Sequence, residues 1–270
     1  MNSLKPTYAI EMKSLTKIFG TTCALDHLDL TIPDHCIFGL LGPNGAGKST
    51  AIKILTTLLT ATSGSATVAG FDVGASPLEV RRRIGYVPQM LSADGSLTAR
   101  ENLVLSAGLY GLRGVDRKTR IQEALAFAGL EAVSDNLVKT YSGGMIRRLE
   151  IAQATMHQPE VLFLDEPTIG LDPVARRTVW ERLRELQRST GMTILITTHD
   201  MEEADYLCEQ LAILHQGRMA VVGCPLELKD RVGPEATLSD VFVAYSGAVI
   251  EQGGHYRDVR ETRETAKRLG

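Results

Sequence analysis

The chain has 270 residues, 44% of them hydrophobic and 23% charged, which is typical of one large globular domain or of a domain with an appended subdomain. Its formal net charge of −3 argues against a nucleic-acid-binding protein, because such proteins are normally strongly basic. The apolar runs are far shorter than a membrane span, and the first residues contain no apolar segment typical of a secretory signal, so we expect a protein that is neither membrane-spanning nor secreted. The four cysteines include no C-x-x-C pair, which predicts free thiols in a reducing cytosol.

Three short strands are predicted near the N-terminus, over residues 8–12, 24–32 and 36–41, with turn signals between them. Phe19 lies on the loop that follows the first strand. An exposed aromatic ring at that position can stack on a purine base. From position alone, a ring that faces the core from a strand edge is an equally good interpretation, and both remain open.

A phosphate-binding motif follows the third strand: residues 42–50 fit G-x-x-x-x-G-K-[ST] and lead into a helix predicted to begin at Ala51. A glycine-rich turn between a strand and a helix points backbone N–H groups and the positive end of the helix dipole at one place. Lys48 would reach the β- and γ-phosphates, and Ser49 would ligate Mg²⁺. A chance match is expected on the order of once in a hundred such chains, so we predict a nucleotide site, which alone suits a kinase or any NTPase. Its residues are Gly42, Pro43, Asn44, Gly45, Ala46, Gly47, Lys48, Ser49 and Thr50.

Two polar motifs lie in the middle of the chain. A strand predicted over residues 84–87 ends just before Gln89, and a glutamine at the carboxyl end of a strand can reach a metal ion or a water molecule. Taken alone, Gln89 is more often a solvated loop residue. The pattern is helical from 98 to 156, and residues 142–144 begin its last helix with a serine N-cap and two glycines. This start is either an anion-binding helix N-terminus or simply a well-capped helix.

An acidic pair follows the next strand. Residues 161–164 are four consecutive apolar residues, as expected for a central parallel strand, and Asp165 and Glu166 come directly after them. Two carboxylates at the end of a buried strand are costly unless a cation compensates them. A nucleotide-bound Mg²⁺ is the expected partner, and a helix cap or a surface acid pair is the alternative.

Another helix and strand complete this region. Asp172 is predicted as the N-cap and Pro173 as the first residue of a helix that continues to residue 188. A buried strand over residues 193–197 then leads to His199, which at that edge would hydrogen-bond a γ-phosphate. Strands are predicted over 211–214 and 219–222.

The composition changes after residue 223. A short helix is predicted over residues 225–232, and Thr237 begins another with a capping-box-like pattern. From Glu251 onward the chain is charged and has few large apolar residues, so we predict a mobile or weakly helical tail.

The order of these motifs resembles the ATP-binding cassette (ABC) ATPases over about residues 8–230. The resemblance implies an α/β P-loop NTPase core with a mostly parallel sheet, an N-terminal antiparallel β subdomain and an inserted α-helical subdomain at about residues 90–157. It also implies an ATPase domain over residues 1–230, followed by a short C-terminal helix and charged tail over residues 231–270.

The resemblance assigns a role to each motif. Glu166 would orient and deprotonate the attacking water, while Lys48 and His199 would stabilise transition-state charge. Mg²⁺ would be held by Ser49, Gln89 and Asp165, and Gln89 would also take part in catalysis. Met145 stands where the family usually has a glutamine, and its side chain cannot make that glutamine's contact. Beyond the phosphate loop, the residues implied to contact ATP are Phe19, Ser142, Gly143, Gly144 and Asp172.

The resemblance also implies partners. In ABC proteins two subunits pack head to tail, so that the phosphate loop of one and residues 142–144 of the other clamp the same γ-phosphate. We therefore expect a homodimer, or a pairing with a related ABC subunit, around two ATP molecules. Integral membrane permease subunits would dock near Gln89 and residues 97–140. This location is cytoplasmic, peripheral on the inner face of the cell membrane, and no nucleic acid is expected.

The signature Tyr-Ser-Gly-Gly-Met over residues 141–145 and the Asp-Val-Phe triplet at 240–242 resemble the drug-resistance and nodulation-type exporter branch. We expect the ATP-hydrolysing subunit of an exporter. The alternative is a soluble ABC ATPase that acts in translation or DNA maintenance, against which the single cassette and the lack of basic charge argue. A cassette that does not hydrolyse ATP is disfavoured because every catalytic position is filled.

Overall fold

The computed structural model describes residues 8–247. The charged tail predicted from Glu251 onward lies outside these residues. The strands are β1 (Tyr8–Phe19), β2 (Thr22–Pro33), β3 (Ile37–Leu41), β4 (Ser63–Val68), β5 (Phe71–Asp72), β6 (Ile84–Val87), β7 (Val161–Asp165), β8 (Thr193–Thr198), β9 (Gln210–His215) and β10 (Arg218–Gly223). The α-helices are α1 (Lys48–Leu55), α2 (Pro77–Arg83), α3 (Ala99–Leu109), α4 (Gly114–Ala128), α5 (Gly143–Thr155), α6 (Pro173–Thr190), α7 (Met201–Leu207), α8 (Pro225–Val232) and α9 (Leu238–Gly247), with 3₁₀ turns at Glu131–Val133 and Val138–Thr140.

Two sheets form the framework. The first has the order β2-β1-β4-β5 and is antiparallel throughout. The second has the order β10-β9-β3-β8-β7-β6, in which the strands from β9 to β6 are parallel and β10 runs antiparallel to β9. Both the antiparallel N-terminal part and the mostly parallel sheet predicted from the sequence are confirmed.

The parallel sheet is buried on both faces, which explains why its central strands read as continuous apolar runs. All residues of β3, β7 and β8 are buried. On β8, Leu195 belongs to the hydrophobic cluster shared with the antiparallel sheet and α1, whereas Ile194 and Ile196 pack with α6 on the other face. The central strands are therefore packed on both faces up to their carboxyl ends.

A separate hydrophobic cluster joins the helices α3, α4 and α5, with Leu103, Leu125 and Leu149 among its buried residues. Farther along the chain, α9 places Leu238 and Val241 in the cluster that covers the α6 face of the parallel sheet. The division at residue 230 and the helical subdomain at about residues 90–157 stay predictions.

The predicted helix starts agree well with the observed caps. Thr98 and Glu101 form a reciprocal capping box, and the side chains of Ser142 and Asp172 each accept a hydrogen bond from the first turn of their helices. One local prediction was wrong: Phe19 is the last residue of β1 and not part of a loop, because β1 pairs with β2 as far as Phe19 and Thr22.

One helix boundary also differs by a few residues. The helix predicted to begin at Ala51 begins at Lys48. All four cysteines are free. Within residues 8–247, no helix is both long and apolar enough to span a bilayer.

Candidate active site

The phosphate loop connects β3 to α1 and packs against the backbones of β2 and β9. Gly47 has φ +107°, and a Cβ built there would lie 2.5 Å from the carbonyl oxygen of Ala24 on β2. At Gly42, a Cβ would lie 2.6 Å from the carbonyl oxygen of Leu214 on β9. Only glycine fits these two positions, so the motif's glycines hold the loop against the sheet as well as leaving its backbone open to phosphate.

Lys48 is folded back into its own loop. Its Nζ donates to the carbonyl oxygens of Gly42 at 2.7 Å and Pro43 at 3.2 Å, and the side chain is only 4% exposed. The same Nζ lies 3.5 Å from Oε1 of Glu166. The ammonium group is thus held between the phosphate loop and the acidic end of β7.

Asp165, at the end of β7, accepts hydrogen bonds from two hydroxyl groups. Its Oδ1 accepts from Ser49 Oγ at 3.0 Å and from Thr197 Oγ1 at 2.5 Å, and the residue is 3% exposed. Sequence analysis did not single out Thr197. The signal lies in the parallel register, which places Thr197 directly beside Asp165 on the adjacent strand.

Glu166 is held in an uncommon backbone conformation, with φ +48°. Left-handed φ values cost a non-glycine residue of order 1 kcal/mol or more and persist only where the surroundings impose them. Here the Glu166 N–H donates to the carbonyl oxygen of Thr197 at 3.1 Å and to its Oγ1 at 3.0 Å. This turn aims the carboxylate away from the strand and toward the phosphate loop.

The Glu166 carboxylate is the point where the predicted catalytic residues meet. Oε1 lies 3.5 Å from Lys48 Nζ and 3.3 Å from His199 Nδ1, while Oε2 accepts a hydrogen bond from Gln89 Nε2 at 3.1 Å. Gln89 and His199 follow β6 and β8, the strands on either side of β7. Parallel strands deliver their carboxyl ends to one edge, which explains the convergence.

A third buried carboxylate, that of Glu203, supports the segment after Glu166. Glu203 on α7 accepts hydrogen bonds at Oε1 from Thr168 Oγ1 at 2.7 Å and from Trp180 Nε1 at 2.9 Å. Burial raises the pKa of Glu203 above its usual value, and its hydrogen bonds only partly oppose this rise. The sequence motifs did not identify Glu203.

Residues 142–144 lie outside this network. Ser142 caps α5, with its Oγ accepting from the Met145 N–H at 3.3 Å. A Cβ on Gly144 would lie 2.6 Å from the Cβ of Ala175, so α5 packs closely against α6 at this glycine. Across residues 8–247, no hydrogen bond or ion pair joins 142–144 to the phosphate loop.

Asp172 and Phe19, the other two residues predicted to contact ATP, also lie apart from the network around Glu166. Asp172 is exposed, and its Oδ1 accepts from the N–H groups of Val174 and Ala175 at the start of α6. Phe19 is 47% exposed at the end of β1, with Lys17 Nζ 5.0 Å from the ring centroid. Neither side chain contacts the Glu166 carboxylate.

The oxygen donors fit a magnesium ion that is bound together with a nucleotide. Among residues 8–247, no group of three or more His, Cys, Asp or Glu side chains is arranged to hold a metal alone. Mg²⁺ usually takes one or two protein oxygens and completes its shell with phosphate oxygens and water. The Asp165 carboxylate and the Ser49 hydroxyl, 3.0 Å apart, are such a pair.

Comparison with known proteins gives concordant matches. A family model described as "ABC transporter" matches residues 25–169, and a second, described as "AAA domain, putative AbiEii toxin, Type IV TA system", matches residues 139–205. The chain is 44% identical over 248 residues to the daunorubicin/doxorubicin resistance ATP-binding protein DrrA of Streptomyces peucetius, covering 92% of this chain and 75% of that protein.

Two further matches are similar in extent. The chain is 45% identical over 243 residues to the Nod factor export ATP-binding protein I of Sinorhizobium fredii, which covers 90% of this chain and 69% of that protein. Its fold matches a dimeric post-hydrolysis structure of the ATP-binding cassette MJ0796 bound to ADP and phosphate. That match has a TM-score of 0.72 and 28% identity, and covers 80% of this chain and 98% of the other.

Proposed function

The chain belongs to the ABC transporter family, and from that premise we propose that its ATPase cycle drives export of a substrate through separate membrane subunits. As a family member it binds and hydrolyses ATP. Export is supported by the names of two relatives, one a drug-resistance protein and the other a Nod factor exporter. Neither relative is named for translation or DNA maintenance.

The observation that carries the mechanism is the convergence on Glu166. Its carboxylate would orient the attacking water and accept its proton, and Gln89 holds that carboxylate through Oε2. Lys48 would leave the carbonyl oxygens of its own loop to contact the β- and γ-phosphates. His199, which lies beside the same Glu166 oxygen as Lys48, would contact the γ-phosphate.

Ser49 and Asp165 would hold Mg²⁺, which when bound neutralises charge on the phosphate oxygens. Gln89 engages Glu166 through its amide nitrogen, so its amide oxygen is the atom suited to a metal. The N–H groups of residues 42–50 would bind the phosphates, and the exposed ring of Phe19 would stack on adenine.

The remaining predicted contacts would serve a second chain. We propose a homodimer, or a pairing with a related ABC subunit, in which Ser142, Gly143 and Gly144 of one chain contact the ATP held by the other. Their separation from the phosphate loop of the same chain supports this arrangement. Asp172, exposed at the start of α6, would lie at the same interface.

The membrane subunits would dock near Gln89 and residues 97–140, on the cytoplasmic face of the membrane. Large apolar side chains are exposed there: Met90 is 81%, Leu109 80% and Val115 80% exposed. Exposed apolar side chains such as these would be covered by a bound membrane subunit. In this proposal residues 1–230 form the ATPase domain, with a helical subdomain at about 90–157, and residues 231–270 are a short C-terminal helix and a charged tail.

The test is the Glu166→Gln variant. Removing the general base should lower ATP turnover by roughly 10²–10⁴-fold, and the ATP-bound dimer should accumulate. Phosphate release and light scattering after gel filtration measure the two effects. The control is Glu181→Gln, which removes a carboxylate 59% exposed on α6. Rapid ATP turnover by the Glu166→Gln chain would refute the assigned role.

A further inference from the structure

Two charged side chains of α5 are buried without a part in the reaction proposed above. Arg147 Nη1 and Glu150 Oε2 form an ion pair at 3.0 Å, and each side chain is only 2% exposed. Burial lowers the pKa of the Arg147 guanidinium, and the neighbouring Glu150 carboxylate opposes that shift. A buried ion pair is rarely more stabilising than apolar packing, so its presence calls for a specific contact that apolar residues could not make.

That contact is the backbone of residues 88–93. Arg147 donates from Nη1 to the Pro88 carbonyl oxygen at 2.8 Å and from Nη2 to the Gln89 carbonyl oxygen at 2.7 Å. Glu150 Oε1 accepts from the N–H of Ser92, from Ser92 Oγ at 3.1 Å and from the N–H of Ala93 at 3.2 Å. The guanidinium thus binds the carbonyl groups at the start of the segment, and the carboxylate binds the N–H groups at its end.

These hydrogen bonds connect the helix that begins at residues 142–144 to Gln89, which lies beside the Glu166 carboxylate. The side chain of Gln89 reaches the Glu166 carboxylate, and its backbone is fixed by Arg147. Residues 142–144, at the N-terminus of the same helix as Arg147, are those that would meet the nucleotide of a second chain. Because an α-helix moves largely as a rigid rod over one turn, a displacement of 142–144 also displaces the guanidinium.

We propose that Arg147 and Glu150 are positioning residues that fix the Gln89 backbone to α5, so that engagement of residues 142–144 by a second chain sets the position of Glu166. The inference rests on the roles proposed above for Gln89 and Glu166. Arginine is required because its planar fork spans two neighbouring carbonyl groups, which a lysine ammonium does not reproduce.

The test uses the full chain with the Arg147→Lys substitution, which keeps the charge and removes the fork. We expect kcat for ATP hydrolysis to fall about tenfold, because a small misplacement of a reacting group has effects of this order, while the KM for ATP changes by less than about twofold. In a Gln89→Ala background, Arg147→Lys should lower kcat no further, since both changes act on one linkage.

The matched control is Arg148→Lys, on the same helix. Arg148 donates to the carbonyl oxygen of Ala128 on α4 and has no hydrogen bond to residues 88–93. The control should retain the wild-type kcat and KM. Glu150→Gln provides a second variant, expected to reproduce the effect of Arg147→Lys from the other end of the segment.

A readout that needs no nucleotide accompanies the kinetics. Hydrogen exchange at the amides of Ser92 and Ala93 should accelerate in Glu150→Gln and stay unchanged in Arg148→Lys. Equal losses of kcat with and without Gln89, a raised KM with unchanged kcat, or unaltered exchange in Glu150→Gln would each overturn the inference. These results are independent of the Glu166→Gln test, so either proposal can fail alone.

Discussion

At the scale of single residues, Thr197 connects the two carboxylates of the site. Its Oγ1 donates to Asp165 Oδ1 and accepts from the Glu166 N–H, while its carbonyl oxygen accepts from the same N–H. The Thr197 hydroxyl therefore orients Asp165, the proposed Mg²⁺ ligand, and also supports the left-handed backbone of Glu166, the proposed general base. In the sequence, the apolar run over residues 193–197 identifies Thr197 only as part of a buried strand and gives no sign of these hydrogen bonds.

Replacing this hydroxyl tests the connection. In Thr197→Val the Asp165 oxygen and the Glu166 N–H each lose a partner, so we expect a stability loss of about 1–3 kcal/mol and a fall in kcat of about tenfold. Urea unfolding and phosphate release measure the two quantities.

Thr193→Val is the matched control, on the same strand and away from the site. Thr193 is 3% exposed, and its Oγ1 accepts from the His35 N–H at 2.8 Å. It should lose comparable stability and keep the wild-type kcat. Equal kcat losses in the two variants would show that the effect of Thr197 is only general destabilisation.

At the scale of elements, the sequence patterns located most strands and helices, because the apolar periodicity and the capping residues act locally. Ser142 and Asp172 were predicted as caps and are caps. The error at Phe19 comes from the tightness of a hairpin: β1 pairs with β2 as far as Phe19 and Thr22, so only two residues are left for the turn between them, whereas β4 pairs with β1 only as far as Thr16 and Ser63. Apolar periodicity does not show how far a hairpin pairing continues into its turn.

The α6–α7 contact gives a prediction about pH. Glu203 has its pKa raised by burial, so between its unfolded value of about 4.5 and its folded pKa the native state binds more protons than the unfolded state. Stability is therefore lost as pH rises through this window. A glutamine keeps a carbonyl oxygen for Thr168 and Trp180 and does not ionise.

Glu203→Gln should consequently gain stability relative to the wild type as pH is raised from about 5 to about 8. Urea unfolding at both pH values measures the difference. Glu202, the exposed neighbour, provides the control, and Glu202→Gln should follow the wild-type curve. A gain in Glu203→Gln that is the same at both pH values would contradict the assignment.

At the scale of the whole molecule, the chain has one connected network around Glu166 and, apart from it, the capped helix start at residues 142–144, which we propose contacts the nucleotide of a second chain. The motif order was sufficient to identify the family, since each motif is a short run of residues. That Gln89, Glu166 and His199 lie near one another could be predicted, because each follows a parallel strand that ends at the same edge of the sheet. Their individual contacts could not be predicted. The hydrogen bonds from Arg147 and Glu150 to residues 88–93 could not be predicted from the sequence, because these side chains bind backbone atoms about 60 residues away.

We propose that each ATP site is shared by two chains, and mixing two differently defective chains would reveal such sharing. Both chains carry Glu166→Gln to prevent turnover; one also carries Lys48→Ala and the other Gly143→Asp. In a head-to-tail pair of the two, one site combines both defects and the other combines the intact phosphate loop with the intact residues 142–144.

Sedimentation velocity in the presence of ATP and Mg²⁺ distinguishes the outcomes. The Glu166→Gln parent should form dimers, each doubly substituted chain alone should stay monomeric, and the mixture should form dimers again. A mixture that stays monomeric while the parent dimerises, or a doubly substituted chain that dimerises alone as well as the mixture does, would contradict a site shared between chains.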